Sequence, residues 1–178
     1  GTTVRRKRLA VGRAEAPVLP GAAHSESTHA ALLGGRSPAM KAIRDMVRSV
    51  APTPSTVLIL GETGCGKEYL AEEIHQLSDR SFQPLFKVNC LAVSSMALDP
   101  ELFGGQKPGR LELADKGALF IDEISEMNPE TQVKLLEFLE SGEIENPSTG
   151  ERKKADVRLI AASCQDPAKE AKEGRLQE

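Results

Sequence analysis

The stretch Thr56-Val57-Leu58-Ile59-Leu60, followed by Gly61-Glu62-Thr63-Gly64-Cys65-Gly66-Lys67-Glu68, constrains this chain more than any other. A continuous β-branched and aliphatic run predicts a buried strand. The glycines after it predict a loop whose backbone N–H groups converge on an anion. Leu70, Ala71, Ile74 and Leu77 then recur at helical spacing, which predicts a helix over about 67–77. A helix that starts at such a loop aims its positive end at the same point. Lys67 adds a point charge that can reach the β- and γ-phosphates of a nucleotide. Strand, loop and helix in this order are the context of a phosphate-binding loop, and the competing reading is a glycine-rich turn with a surface lysine. A hydroxyl residue that ligates Mg²⁺ usually follows the lysine. Glu68 stands there instead, either to bind the ion through water or to face solvent.

A second acidic feature lies further on. Ala118-Leu119-Phe120-Ile121 is an apolar strand that runs into Asp122-Glu123. Alone it reads equally well as a solvated strand end. In a parallel sheet, however, strand C-termini gather at the ligand edge. Asp122 would then stand near a metal ion at the loop. Glu123 would point at the γ-phosphate, where it could orient and deprotonate a water.

The remaining pattern sets the fold class. Ser37-Pro38 predicts a capped helix with Met40, Ile43, Met46, Val47 and Val50 apolar, ended by Pro52 and Pro54. Phe86–Cys90 reads as a strand. A helical stretch with Met96 and Leu98 leads into Pro100. Asn128-Pro129 predicts a helix with Val133, Leu135, Leu136, Phe138 and Leu139 apolar. Ser141–Lys154 reads as a hairpin or loop, Val157–Ala162 as another strand, and Pro167–Glu178 as a charged surface helix. Strands alternating with helices predict an α/β fold: a parallel sheet in a three-layer αβα arrangement.

Composition narrows the function classes. The chain has 178 residues, 39% hydrophobic and 28% charged, which suits a globular domain with a core. A net charge of −3 exerts no global pull on nucleic acid. The three cysteines Cys65, Cys90 and Cys164 form no CxxC pair, which argues against a disulfide framework or a zinc site and for a reducing compartment. With no membrane-length apolar run and no signal-peptide core, the expected location is the cytoplasm. Residues 1 to about 30 read as a basic, then Pro/Ala/Ser-rich linker carrying Arg5, Arg6, Lys7 and Arg8, and residues 31–178 as the α/β core. His24 and His29 fall in the linker, and His75 in a helix, so the histidines add no site.

The stretches GETGCGKE, VNC, ELFG, LADKGALFIDEISEM and VRLIAAS, in that order, resemble the AAA+ core of sigma-54-dependent transcription activators, the bacterial enhancer-binding proteins. Glu after the loop lysine is itself a feature of that family. The resemblance implies a P-loop fold that binds ATP or ADP with Mg²⁺. It implies a nucleotide-binding set of Gly61, Glu62, Thr63, Gly64, Cys65, Gly66, Lys67, Glu68 and Asp122, covering the Walker A loop and the Walker B aspartate. Asp122 would hold Mg²⁺, partly through water. Glu123 matches the catalytic glutamate, and Asn89 an asparagine that withholds this glutamate from water until the oligomer is engaged. The implied partners are further copies in a ring or a regulatory protein.

Departures from the family pattern matter equally. After Glu101-Leu102-Phe103-Gly104 come only Gly105-Gln106-Lys107-Pro108 before Gly109-Arg110-Leu111-Glu112-Leu113-Ala114. The family's long GAFTGA loop, which grips the sigma factor, has no counterpart, so contact with sigma-54 and its remodelling are not expected. Cys164 stands where the family has a sensor asparagine, Gln177 where it has its first arginine finger, and Gly34 where an aliphatic residue lies near adenine. Arginine fingers contribute on the order of 10³-fold or more to turnover. Neither the helical lid nor a DNA-binding helix-turn-helix is matched by these residues. Three readings stay open: a Mg²⁺-dependent ATPase, a nucleotide-responsive module that hydrolyses slowly or not at all, and an interaction domain that binds no nucleotide. The adopted expectation is an ATP-binding AAA+ domain of a transcription regulator, with weak or partner-dependent hydrolysis.

Overall fold

The computed structural model describes residues 10–13 and 37–164. The readings for Arg5–Arg8, His24, His29, Gly34, Gln177 and the helix over 167–178 lie outside the described residues.

Strand β1 (Ala10–Arg13) is followed by helix α1 (Pro38–Val50), β2 (Val57–Leu60), α2 (Lys67–Gln76), β3 (Leu85–Asn89) and α3 (Ser95–Phe103). A short helix α4 (Arg110–Leu113), β4 (Ala118–Asp122), a 3₁₀ turn (Ile124–Glu126) and α5 (Pro129–Ser141) come next. The hairpin strands β5 (Glu143–Glu145) and β6 (Arg152–Lys154) precede β7 (Arg158–Ser163). The main sheet has the order β1-β2-β7-β4-β3, and every neighbouring pair is parallel.

Side-chain alternation makes the three layers. In β4, Leu119 and Ile121 enter one core with residues of α3, α4 and α5, such as Leu102, Leu111 and Phe138. Phe120 points the other way, into a core with Val47 of α1 and Ala71 and Ile74 of α2. β7 does the same with Leu159 on the first face and Ile160 and Ala162 on the second. Successive residues of a strand face opposite sides, so two strands buried on both faces organise both cores.

Helix ends follow local chemistry. The Ser37 side chain accepts the Met40 N–H at 3.2 Å, and Asn128 accepts that of Thr131 at 2.9 Å, each with proline at the next position. The hairpin pairs Glu143 with Lys154 and Glu145 with Arg152 across its strands, so opposite charges face each other.

Four features differ from the sequence expectation. Ala10–Arg13, placed in the linker, pairs along β2; its apolar run is too short to read as a strand, and the open edge of β2 supplies the partner. The helical stretch read as leading into Pro100 continues through it to Phe103. α4 is too short to show a period. Val133 and Leu136 of α5 are exposed, while Leu135 and Phe138 carry its buried face.

Candidate nucleotide site

The site is assembled where β2, β7, β4 and β3 end. The Gly61 N–H donates to the Ser163 carbonyl at 3.2 Å, which extends the β2–β7 pairing into the loop. The loop turns through Gly64 and Gly66, with φ of 79° and 88°, a left-handed backbone that side-chain-bearing residues resist. Gly66 is the N-cap of α2 and no side chain caps that helix, so the donors of its first turn are offered to an external acceptor. A Cβ at Gly64 would meet nothing within 4 Å, so the space over the loop is open. The Cys65 N–H donates to the Glu62 carbonyl at 3.2 Å and stiffens the loop from within. Glu62, Thr63 and Gly64 are exposed.

Lys67 lies 6% exposed beneath this loop. Its Nζ donates to the carbonyls of Gly61 and Glu62 at 3.0 and 3.3 Å and pairs with Glu123 Oε1 at 3.1 Å. Glu123 is buried as well, 5% exposed. Its backbone is left-handed, at φ 51°, an uncommon conformation for this residue type that recurs at functional sites. Its second oxygen, Oε2, accepts the Cys164 N–H at 3.0 Å.

Asp122, the last residue of β4, accepts the Glu123 N–H at 3.0 Å. It lies opposite Asn89 in the β3–β4 register. The sequence reading has Asn89 restraining Glu123. Instead its Nδ2 approaches Asp122 Oδ2 at 3.4 Å, and its Oδ1 accepts the N–H groups of Leu91 and Ala92. The register accounts for this contact: Asn89 ends level with Asp122, while the left-handed turn at Glu123 leads that carboxylate to the Cys164 N–H just past β7.

Glu68 pairs with Lys87 of β3 at 2.8 Å and is 59% exposed. Lys87 also pairs with Glu72. Strand alternation puts Lys87 on the same face as Asn89, a signal present in FKVNC and not used in the sequence reading.

Electrostatics separate the two carboxylates. Burial raises the Asp122 pKa above its usual value, the neighbouring Glu123 charge adds to this, and the Glu123 N–H and Lys67 offset only part of it. Burial also acts to raise Glu123, but the N–H and thiol of Cys164 and the Lys67 ammonium outweigh it, and the pKa is lowered. Asp122 is therefore an acceptor short of positive charge, which suits a divalent cation. Among the described residues no three His, Cys, Asp or Glu side chains converge as a metal cage. Mg²⁺ fits such a site because it keeps waters and takes phosphate oxygens as ligands.

Ser163 and Cys164 are contributors that side-chain reasoning missed. The Ser163 Oγ lies 3.2 Å from Ser125 Oγ, tying β7 to the turn after Glu123. Cys90, just past Asn89, is buried and its thiol is pushed up to about 12, chiefly by burial. It is inert packing rather than a nucleophile.

The model of the Sigma-54 interaction domain matches residues 33–178. The "Nif-specific regulatory protein" of Sinorhizobium fredii is 41% identical over 168 residues, which are 89% of this chain and 28% of that protein. NtrX from Brucella abortus has been solved in complex with ATP, with 37% identity and a TM-score of 0.77 over 81% of this chain and 34% of that one. Its complex with ADP gives 38% identity and a TM-score of 0.78, again over 81% of this chain and 33% of that one. The P-loop NTPase domain of an Escherichia coli sigma-54 activator, at 18% identity and a TM-score of 0.58 over 80% of this chain and 87% of that one, shares the fold. The chain thus spans about a third or less of the regulator and the NtrX chains it matches.

Proposed function

This chain belongs to the sigma-54 interaction domain family, and from that premise we propose that it binds ATP and ADP at the Gly61–Glu68 loop and hydrolyses ATP weakly or only with a partner. The carrying observation is the buried Lys67–Glu123 pair at the mouth of the loop, 3.1 Å apart. It places the one ammonium that a phosphate would need against the one carboxylate that a water would need.

Phosphate oxygens carry more charge than a carboxylate and accept shorter, stronger bonds from an ammonium. An arriving nucleotide therefore competes for Lys67, and Glu123 Oε1 is released. Glu123 then orients a water against the γ-phosphorus. The new P–O bond forms as the bond to the β-phosphate oxygen breaks, and the proton of the water passes to Glu123. A Mg²⁺ ion held by Asp122, directly or through water, would supply neutralising charge for the phosphates.

Three features support slow turnover and a limited role. Cys164 offers no amide side chain where the family has its sensor asparagine. Gln177 stands at the first finger position, and glutamine carries no charge to offset that of the transition state. The turn between α3 and α4 is closed at its neck, where a Cβ at Gly109 would lie 2.3 Å from Gly104 N. Such a turn presents no long gripping element, so we assign this chain no sigma-54 remodelling. The family supports assembly into a ring or contact with a regulatory protein partner, service within a bacterial transcription regulator, and a cytoplasmic location. No helix among the described residues is long and apolar enough to cross a membrane.

A second reading, a nucleotide sensor without chemistry, is favoured by the engagement of both Glu123 oxygens. Phosphate release separates the two. The ATPase reading predicts slow release that Glu123→Gln lowers at least about 100-fold with ATP affinity retained. Release that is equal in the two proteins leaves the sensor reading standing.

A further inference from the structure

We infer that the peptide unit joining Ser163 to Cys164 couples the phosphate loop to Glu123, with the Cys164 N–H as the fixed anchor of the carboxylate. The carbonyl of this unit accepts the Gly61 N–H at 3.2 Å. Its N–H donates to Glu123 Oε2 at 3.0 Å. A peptide unit is planar, so the two bonds are held at a fixed mutual angle. One rigid group thus touches the first residue of the phosphate loop on one side and the carboxylate on the other.

The surroundings hold that group still. Ser163 is fully buried, pairs with Leu60 across the sheet, and contacts Ser125 through its hydroxyl. Of the two Glu123 oxygens, Oε1 meets a side-chain ammonium and Oε2 meets this main-chain donor. The oxygens therefore have different duties. Oε2 stays with β7 while Oε1 passes from Lys67 to the reacting water. Cys164 is a positioning residue, and it acts chiefly through its main chain. The nearby Glu123 carboxylate raises the pKa of the Cys164 thiol, and a thiol is at most a weak secondary donor. The unmatched sensor side chain accordingly leaves the principal donor to Glu123 in place.

The anchor itself stands on the geometry, and only the duty assigned to Oε1 rests on the ATPase reading. Two measurements keep them apart. The first is hydrogen exchange at the Cys164 amide, which needs no turnover. Glu123→Ala is expected to speed this exchange about 30-fold, the loss of a bond to a charged acceptor, beyond any speeding that amides in the middle of β7 share through the stranded Lys67 charge. Saturating Mg·ATP is expected to leave it protected in the unaltered chain. Exchange that ignores Glu123→Ala, or protection lost on ATP binding, overturns the anchor.

The second is phosphate release with Cys164→Pro, which deletes the N–H, beside Cys164→Ala, which keeps it. Turnover is expected to fall about 30-fold in the proline variant, with ATP affinity retained, and to recover largely in the alanine variant. Equal turnover in the two variants overturns the main-chain role. If Cys164→Pro does not fold, the exchange experiment decides alone. An unaltered chain that releases no phosphate but shows the exchange change removes intrinsic turnover, leaving only the partner-dependent form of the ATPase reading, and keeps the anchor intact.

Discussion

Lys67 and Glu123 hold most of the chemistry in this fold, and each neutralises the other where water is nearly excluded. Removing one member of such a pair strands a buried charge. Lys67→Ala should therefore destabilise the ligand-free protein by about 3 kcal/mol at neutral pH, and adding Glu123→Gln should restore much of that loss. The pH dependence has a definite sign. The folded Glu123 pKa lies below the usual value of 4.5, so its stabilisation is complete above about that pH and is lost as pH falls through the lowered value. The deficit of Lys67→Ala is thus largest near pH 7 and shrinks on acidification, because protonation removes the stranded charge. Urea melts of the three proteins from pH 7 to pH 4 check this, and a deficit that does not vary with pH contradicts it. The residue types were legible in GETGCGKE and LFIDE, but their pairing was not. It depends on the left-handed turn at Glu123 and on a main-chain donor from β7, neither of which has a signature in a string of side chains. Asn89 shows the same limit, since its contact with Asp122 comes from the strand register and not from its residue type.

At the scale of elements, the strands and most helices could be read because burial on both sides of a sheet forces continuous apolar runs, as in Thr56–Leu60 and Ala118–Ile121. β1 escaped because its cause is the edge of β2 rather than its own composition. α4 escaped because four residues hold barely one helical turn. The turn between α3 and α4 makes a separate test. A Cβ at Gly109 would stand 2.4 Å from the Leu102 carbonyl and 2.6 Å from the Phe103 carbonyl carbon, all of it backbone. At Gly105 the nearest contact is the Ser148 hydroxyl at 3.4 Å. Gly109→Ala is therefore expected to cost about 3 kcal/mol, the upper range for overpacking, and Gly105→Ala less than about 0.5 kcal/mol, as at ordinary surface positions. Thermal melts compare the two, and equal midpoints would show that the neck opens more easily than this geometry allows.

Across the whole molecule, the layers bring four strand ends to one edge, and the phosphate loop, Asp122, Glu123 and the Ser163–Cys164 peptide all lie there. A cleft of about 610 Å³ lies elsewhere, between α5 and the hairpin, lined by Phe103, Glu137, Glu140, Glu143 and Arg152. Its four glutamates outnumber Lys134 and Arg152, a balance that disfavours a nucleotide there. The central claim is that the phosphate loop binds nucleotide through Lys67. Calorimetric titration with ATP in Mg²⁺ tests it most directly, using this chain, Lys67→Ala, and Lys67→Ala with Glu123→Gln. The account predicts micromolar binding by the unaltered chain. It predicts affinity weaker by at least about 100-fold in both variants, the loss of a charge-assisted contact to phosphate, even where the double variant has regained its stability. Binding of undiminished strength in the double variant would contradict it.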